Sequence, residues 1–375
     1  MAAAERGAAV TGARPRIGVA VCGGGFRATA FGLGCFRALH DAGLLASVSV
    51  ISGISGGSLL TALYAYGPGN FGEFDRATAD LLRGGLQAAL IRRALAPGAL
   101  TRQVIAAGRV LLPERPGNQP RLRTANRTDA LRDELAHRAF GNRTLDQVTR
   151  SGLATVITAT DLRTSNAVRF GSARSSCSAY GTITEPVTIA EAVAASAAFP
   201  LLLPAVERSY TFTRTGSEEP DRHVLFLSDG GIYDNLGLTV LEPRRSASHT
   251  GHVYDVDYII ACDVGRGRLP LVAGHFAGTR LRRSFDTVHR RAQDAARAKL
   301  HDAAASGQLQ GFIHAYLGMQ DQRLPVPVAD LIPATEVRNY PTDFKPMTDA
   351  NLQLITTRGE QLTRALLAHY CPNIL

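Results

Sequence analysis

An α/β fold with a mostly parallel sheet is what the sequence predicts, on three observations. Short β-branched apolar runs alternate with stretches of helical spacing over the first seventy residues. Glycine-rich turns sit directly between such a run and the helix that follows, at Gly23-Gly24-Gly25 and at Gly53-Ile54-Ser55-Gly56-Gly57. Similar apolar runs recur along the rest of the 375 residues, of which 45% are hydrophobic, enough for one large core or two ordinary ones.

The elements follow in order. Met1 to Pro15, rich in Ala, Gly and Arg, reads as a disordered tail, and residues 16–375 read as a single domain. Arg16 to Cys22 is the first strand, followed by a helix through Phe31, Cys35 and Leu39; Ser47 to Ser52 is the second strand, and Ser58 to Tyr66 the second helix. Further strands are expected at Ala154 to Thr160, Val224 to Ser228, Tyr258 to Asp263 and Phe312 to Leu317. Between residues 71 and 150 helical spacing takes over, as in Leu81, Leu82, Leu86 and Leu90, so a helical insertion is expected there, either as sheet cover or as a cap over a substrate. Residues 270–375 read as a C-terminal helical extension. It contains the basic amphipathic stretch Arg282 to Leu300, with Leu281, Phe285, Val288 and Ala292 on one face, read as a solvated surface helix before a membrane-contact one.

Composition bounds the function. No apolar block suits a signal peptide or a membrane span, so the chain is expected to be soluble and cytoplasmic, with membrane association as an open alternative. Five scattered cysteines without C-x-x-C spacing point away from a disulfide scaffold or a zinc site. The net charge is +9, and Lys299 and Lys345 are the only lysines. A GC-rich coding sequence accounts for so much arginine, although guanidinium groups also suit phosphate-bearing partners, lipid headgroups included. No nucleic-acid partner is expected.

Ser55 stands on a sharp strand-to-helix turn flanked by glycines, where a hydrolase presents a nucleophile. Gly56 opens a helix whose free N–H groups face the serine oxygen. Gly23-Gly24-Gly25-Phe26-Arg27 has the character of an oxyanion loop, since glycines at a strand-to-helix turn leave N–H groups free to converge on one oxygen; a phosphate loop or a plain tight turn fits the triplet as well. No lysine follows either glycine loop, which does not support a Walker-type site. Among histidines, His249 and His252 precede a strand and His275 lies beyond one, so none is well placed as a base; His40 suits a helix C-terminus. Asp229-Gly230-Gly231 directly follows the strand Val224 to Ser228, which places its carboxylate at a strand end, although an ordinary Asp-Gly turn would look the same.

The ordered set Gly23-Gly24-Gly25-Phe26-Arg27, Gly53-Ile54-Ser55-Gly56-Gly57 and Asp229-Gly230-Gly231 resembles the three signatures of the patatin-like phospholipase family. Thr158-Ala159-Thr160-Asp161-Leu162, Ala195-Ser196-Ala197-Ala198-Phe199-Pro200 and Tyr233-Asp234-Asn235-Leu236-Gly237 agree with it, and the resemblance covers roughly residues 16–265. It implies a three-layer α/β/α core and hydrolysis of lipid acyl esters without a metal or other cofactor. It also implies a Ser-Asp dyad of Ser55 as nucleophile and Asp229 as base, with the backbone around Gly24, Gly25 and Phe26 as oxyanion hole and Arg27 supporting the loop. Ala28 departs from the pattern, standing where many members have a further glycine. An acyltransferase working through the same acyl-serine, and a non-catalytic phosphate-binding module, remain alternatives.

Overall fold

The computed structural model describes residues 14–88, 90, 126–200, 202–214, 219–247, 250–267 and 277–375. The N-terminal residues 1–13 and much of the 71–150 insertion, residues 91–125, lie outside the described part, as do His249 and His275.

Ten strands form one sheet: β1 (Ile17–Val21), β2 (Val48–Ile54), β3 (Ala154–Asp161), β4 (Asn166–Gly171), β5 (Ser175–Cys177), β6 (Gly181–Ile183), β7 (Val206–Thr213), β8 (Asp221–Asp229), β9 (Tyr258–Asp263) and β10 (Gly311–Tyr316). Among the described residues the α-helices are α1 (Gly25–Asp41), α2 (Gly56–Tyr66), α3 (Phe71–Gly84), α4 (Arg127–Leu135), α5 (Ile189–Ser196), the one-turn α6 (Gly231–Asp234), α7 (Ala277–Ala305), the short α8 (Ala334–Val337) and α9 (Asp349–Tyr370). Local chemistry marks several helix starts: Asn70, Asn126, Thr188 and Thr348 each accept a backbone N–H from the first turn of the helix they precede.

The expectation of a mostly parallel sheet holds for half of it. Strands β10, β9, β1, β2 and β3 are parallel neighbours. From β3 onward the chain runs antiparallel through β4, β5, β6, β7 and β8. β8 then returns to pair with β3, so that these strands close on themselves. The physical reason is connection length: β3 to β6, and β7 to β8, follow one another through short connections, which join antiparallel neighbours, with α5 set between β6 and β7, whereas β1, β2 and β3 are separated by segments long enough for crossover helices.

β1, β2 and β9 are buried on both faces and largely apolar, as sheets covered on both sides require. Val21 faces α1, while the opposite side of β1, at Gly18, meets Leu241 and Val256. One face of the parallel half is thus covered by helix, and the other, at β1, by the largely irregular segment after α6 rather than by a second helical layer. The C-terminal region is not purely a helical extension either, since it supplies the edge strand β10. Arg358 of α9, wholly buried, ties that region together by donating to the carbonyls of Leu317, Ile332 and Met319.

Candidate active site

Sheet topology brings the sequence-predicted residues together. β2 runs along one edge of β3 until Ile54 lies opposite Thr158, and β8 approaches along the same edge from the other direction until Asp229 lies opposite Ala159. The two strands therefore end head to head at adjacent positions of β3, and the turns that follow them, Ser55 and Gly230-Gly231, converge. A parallel β8 would not produce this meeting; the antiparallel half does.

Ser55 has φ 52° and ψ −118°, a conformation L-residues adopt only when the surroundings enforce it, at a typical cost of ~1–3 kcal/mol. The turn is enforced by close packing: a Cβ on Gly56 would lie 1.9 Å from the Gly25 carbonyl oxygen. Gly25, at φ 56°, also packs closely, with its missing Cβ 2.7 Å from the Asp343 carbonyl oxygen. The two glycine loops touch through positions where only hydrogen fits.

Asp229 is buried, and its Oδ1 accepts the Gly231 N–H at 2.7 Å. Burial pushes its pKa up to about 6, against the opposing pull of the Gly231 N–H and of the Ser55 side chain beside it. The carboxylate is thus a stronger base than a free aspartate. Among the described residues no histidine hydrogen-bonds to Ser55. His252 is buried elsewhere, bonded to Ser176 at 3.0 Å, and His40 stacks on Phe71 at the end of α1. His314 binds Asp263.

The N–H groups near the serine divide into used and unused. Gly23 donates to the Asn235 carbonyl and Phe26 to that of Asp343. The Phe26 N–H is therefore not free to bind an oxyanion, which corrects its inclusion among the donors; its ring is core, edge-on to Phe344. The N–H groups of Gly24, Gly25 and Gly56 donate to no described backbone group. Arg27 is almost buried, and it braces the loop by donating to the Tyr340 carbonyl at 2.7 Å. Burial, followed by the nearby charge of Arg266, lowers its pKa to about 10.

These groups open into a cleft of about 620 Å³. Ser55, Asp229 and Gly23 to Gly25 lie at its base, with Phe199, Leu202, Ile232 and Phe344 as apolar wall. Another wall was not anticipated: α7 contributes Phe285, Asp286, His289 and Gln293. The basic amphipathic stretch therefore borders the cleft, while the described residues of the 71–150 insertion contribute nothing to its lining. α7 is pinned there by Arg297, which donates to Asp263 at 2.9 Å; His314 holds the same carboxylate oxygen at 2.9 Å. These two partners keep the pKa of Asp263 well below the usual carboxylate range despite its burial. Ser196, which the sequence places only within a family-like segment, accepts the Ser55 N–H on its hydroxyl.

Among the described residues no helix is long and apolar enough to cross a membrane, and no cluster of His, Cys, Asp and Glu is placed to hold a metal. The five cysteines are buried and unpaired.

A family model described as patatin-like phospholipase matches residues 19–241. No curated protein matches the chain. Among solved structures, human GIVD cytosolic phospholipase A2 bound to methyl gamma-linolenyl fluorophosphonate aligns with a TM-score of 0.49 at 12% identity, over 94% of this chain and 57% of that one. VipD from Legionella pneumophila aligns with a TM-score of 0.37 at 13% identity, over 95% of this chain and 67% of VipD. The type III effector ExoU gives 0.33 and 15%, over 95% of this chain and 53% of ExoU. The chain thus spans about half to two thirds of the length of these proteins.

Proposed function

The chain belongs to the patatin-like phospholipase family, and from that premise we propose that it is a serine lipid acyl hydrolase that works through Ser55 and Asp229. The observation that carries the reading is the meeting of a strained serine turn with a buried carboxylate whose pKa is raised to about 6. The Ser55 hydroxyl attacks the ester carbonyl as Asp229 takes its proton, forming the Oγ–C bond and a tetrahedral oxyanion. The N–H groups of Gly24, Gly25 and Gly56 are the donors for that oxyanion, aided by the N-terminal ends of α1 and α2. Collapse breaks the bond to the alcohol, which leaves with the proton from Asp229. Water then attacks the acyl carbonyl while giving a proton to Asp229; the Oγ–C bond breaks, the acid is released, and Asp229 returns the proton to the Ser55 oxygen.

A base with a pKa near 6 cannot ionise serine beforehand, so proton transfer accompanies attack, and a dry cleft favours it. An acyl chain against Phe199, Leu202 and Phe285 supplies the dryness. The reading is tested by covalent labelling with a fluorophosphonate and by turnover of a p-nitrophenyl acyl ester. Ser55→Ala should lose both. Asp229→Asn should stay folded and lose turnover by two orders of magnitude or more; near-normal turnover by Asp229→Asn would eliminate the dyad.

A further inference from the structure

Outside the cleft, the face of the antiparallel strands carries a group of cations that nothing in the hydrolase reading uses. Arg169 lies on β4 opposite Thr158, the residue that on its other side faces Ile54. It is only 7% exposed, yet its side chain donates no hydrogen bond and joins no ion pair among the described residues. Its Nε is sealed from solvent without a partner. Its guanidinium carbon lies over the ring of Tyr233, on α6, 6.0 Å from the centroid.

Arg245 and Arg174 stand close by. Arg245 gives one bond to the Thr239 carbonyl and leaves its Nε buried and unpaired. Arg174 is exposed, its side chain has no polar partner among the described residues, and that side chain lies 2.8 Å from where a Cβ on Gly251 would be. All three guanidiniums act on His252, which is buried between Ser176 and Tyr254; with burial they hold its pKa down to about 3 and keep it neutral. The carboxylates that act on Arg245 are otherwise engaged: Asp234 accepts the N–H groups of Gly237 and Thr239, and Glu242 pairs with Lys299 at 2.9 Å.

Burying a cation without a counter-charge or a full set of acceptors is strongly unfavourable, and like charges gathered beside it add to the cost. Such a group is satisfied by a multivalent anion, because each guanidinium presents parallel N–H donors that match two oxygens of a phosphate. We propose that Arg169, Arg174 and Arg245 form a second site, separate from the cleft, that binds a phosphate-type anion, supplied either as free phosphate or as the headgroup of a phosphorylated lipid. Its position has a consequence for the cleft. Tyr233 follows Asp229 by four residues on the segment that leads to Arg245, so an occupied site braces the segment that carries the catalytic carboxylate.

The test uses the full chain in thermal unfolding, with inorganic phosphate against chloride at matched ionic strength, and in sedimentation with phosphatidylcholine vesicles with and without phosphatidate. Wild type should show a saturable rise in Tm with phosphate, and Arg174→Gln and Arg245→Gln should lose it; Arg174 is a surface residue, so its variant folds. Arg266→Gln, in the cleft, should keep the rise. Arg169→Met gives a signature that a structural arginine would not: in chloride its Tm should equal or exceed that of wild type, and phosphate should add nothing. Binding to phosphatidate vesicles that is lost in Arg174→Gln assigns the source to a lipid headgroup, whereas stabilisation by phosphate without vesicle binding assigns it to free phosphate. Equal phosphate shifts in wild type and the arginine variants, or no response to either source, would overturn the site. Fluorophosphonate labelling of Ser55, followed in parallel, reports on the hydrolase reading independently.

Discussion

The Ser196 hydroxyl accepts the backbone N–H of Ser55 at 2.9 Å while donating to the Thr158 carbonyl at 2.7 Å. The same residue's carbonyl accepts the Gly230 N–H at 3.1 Å, and the Ala198 carbonyl accepts that of Asp229 at 3.0 Å. The end of α5 thus holds both the serine turn and the aspartate turn against β3. Ser196→Ala leaves a buried N–H and a buried carbonyl short of partners, which costs about 1–3 kcal/mol. Denaturant unfolding should register that loss. Because the bond acts on a strained turn, phosphonate labelling of Ser55 should slow by roughly tenfold in protein that remains folded; an unchanged labelling rate would reduce Ser196 to a stability residue.

The raised pKa of Asp229 makes a pH-dependent prediction with a definite sign. In the unfolded chain the carboxyl ionises near 3.8, in the native protein only near 6. Between those values the unfolded state has released the proton and the native state still holds it, so stability falls as pH rises through this window. The deficit is complete above pH 6 and, for a shift of about two units, amounts to roughly 3 kcal/mol. Asp229→Asn removes the ionisation. Measured by denaturant unfolding, it should be more stable than wild type above pH 6, by less than the full amount because the bond from Gly231 weakens, and the difference should shrink toward pH 4. Esterase activity of wild type should rise through an apparent pKa near 6.

The sequence makes the parallel half and the site's central residues legible, because Gly23 and Ser55 come just after β1 and β2 and Asp229 closes β8, strands marked by the apolar stretches Ile17 to Val21, Val48 to Ile51 and Val224 to Leu227. The antiparallel strands are harder to see. β7 is a clean alternation, but its outward residues Glu207, Ser209, Thr211 and Thr213 dilute the apolar signal, and β5 and β6 have three residues each. The roles of Ser196 and α7 at the site are illegible for another reason. Nothing local to Ser196 announces that its partner lies 141 residues away, and the outward Phe285 and Val288 of α7 look like those of any solvated helix until the cleft is seen beside it. Pairing over such distances is a property of topology and not of spacing.

Contact between the two glycine loops predicts an unusually sharp size limit. Gly56→Ala would press a methyl group into the Gly25 carbonyl, a backbone atom that cannot swing aside, whereas a Cβ on Gly69 would meet nothing within 4 Å. Overpacking of this kind costs ~1–3 kcal/mol or more, and here relief must come from moving the loops that supply the free N–H groups. Gly56→Ala should therefore abolish phosphonate labelling along with any loss of stability, while Gly69→Ala should label like wild type. Full labelling of Gly56→Ala would mean that the loops separate without consequence for the serine.

The placement of α7 on the cleft predicts a chain-length effect. Phe285 is 43% exposed and lines the cleft, so in the free protein it leaves apolar surface in water that an acyl chain would cover. The helix is anchored nearer its C-terminal end, by Arg297 on Asp263 and by the buried Leu300 and Ala303, which leaves the turn carrying Phe285 outside that anchor. Phe285→Ala removes roughly half of a phenyl ring's burial, about 1 kcal/mol, and should raise KM for a long-chain p-nitrophenyl ester about fivefold. Turnover of the acetyl ester, too short to reach the helix, should be unchanged, since the substitution leaves Ser55, Asp229 and the glycine loops untouched. Equal effects on both esters would show that Phe285 acts by holding α7 in place and not by covering the acyl chain.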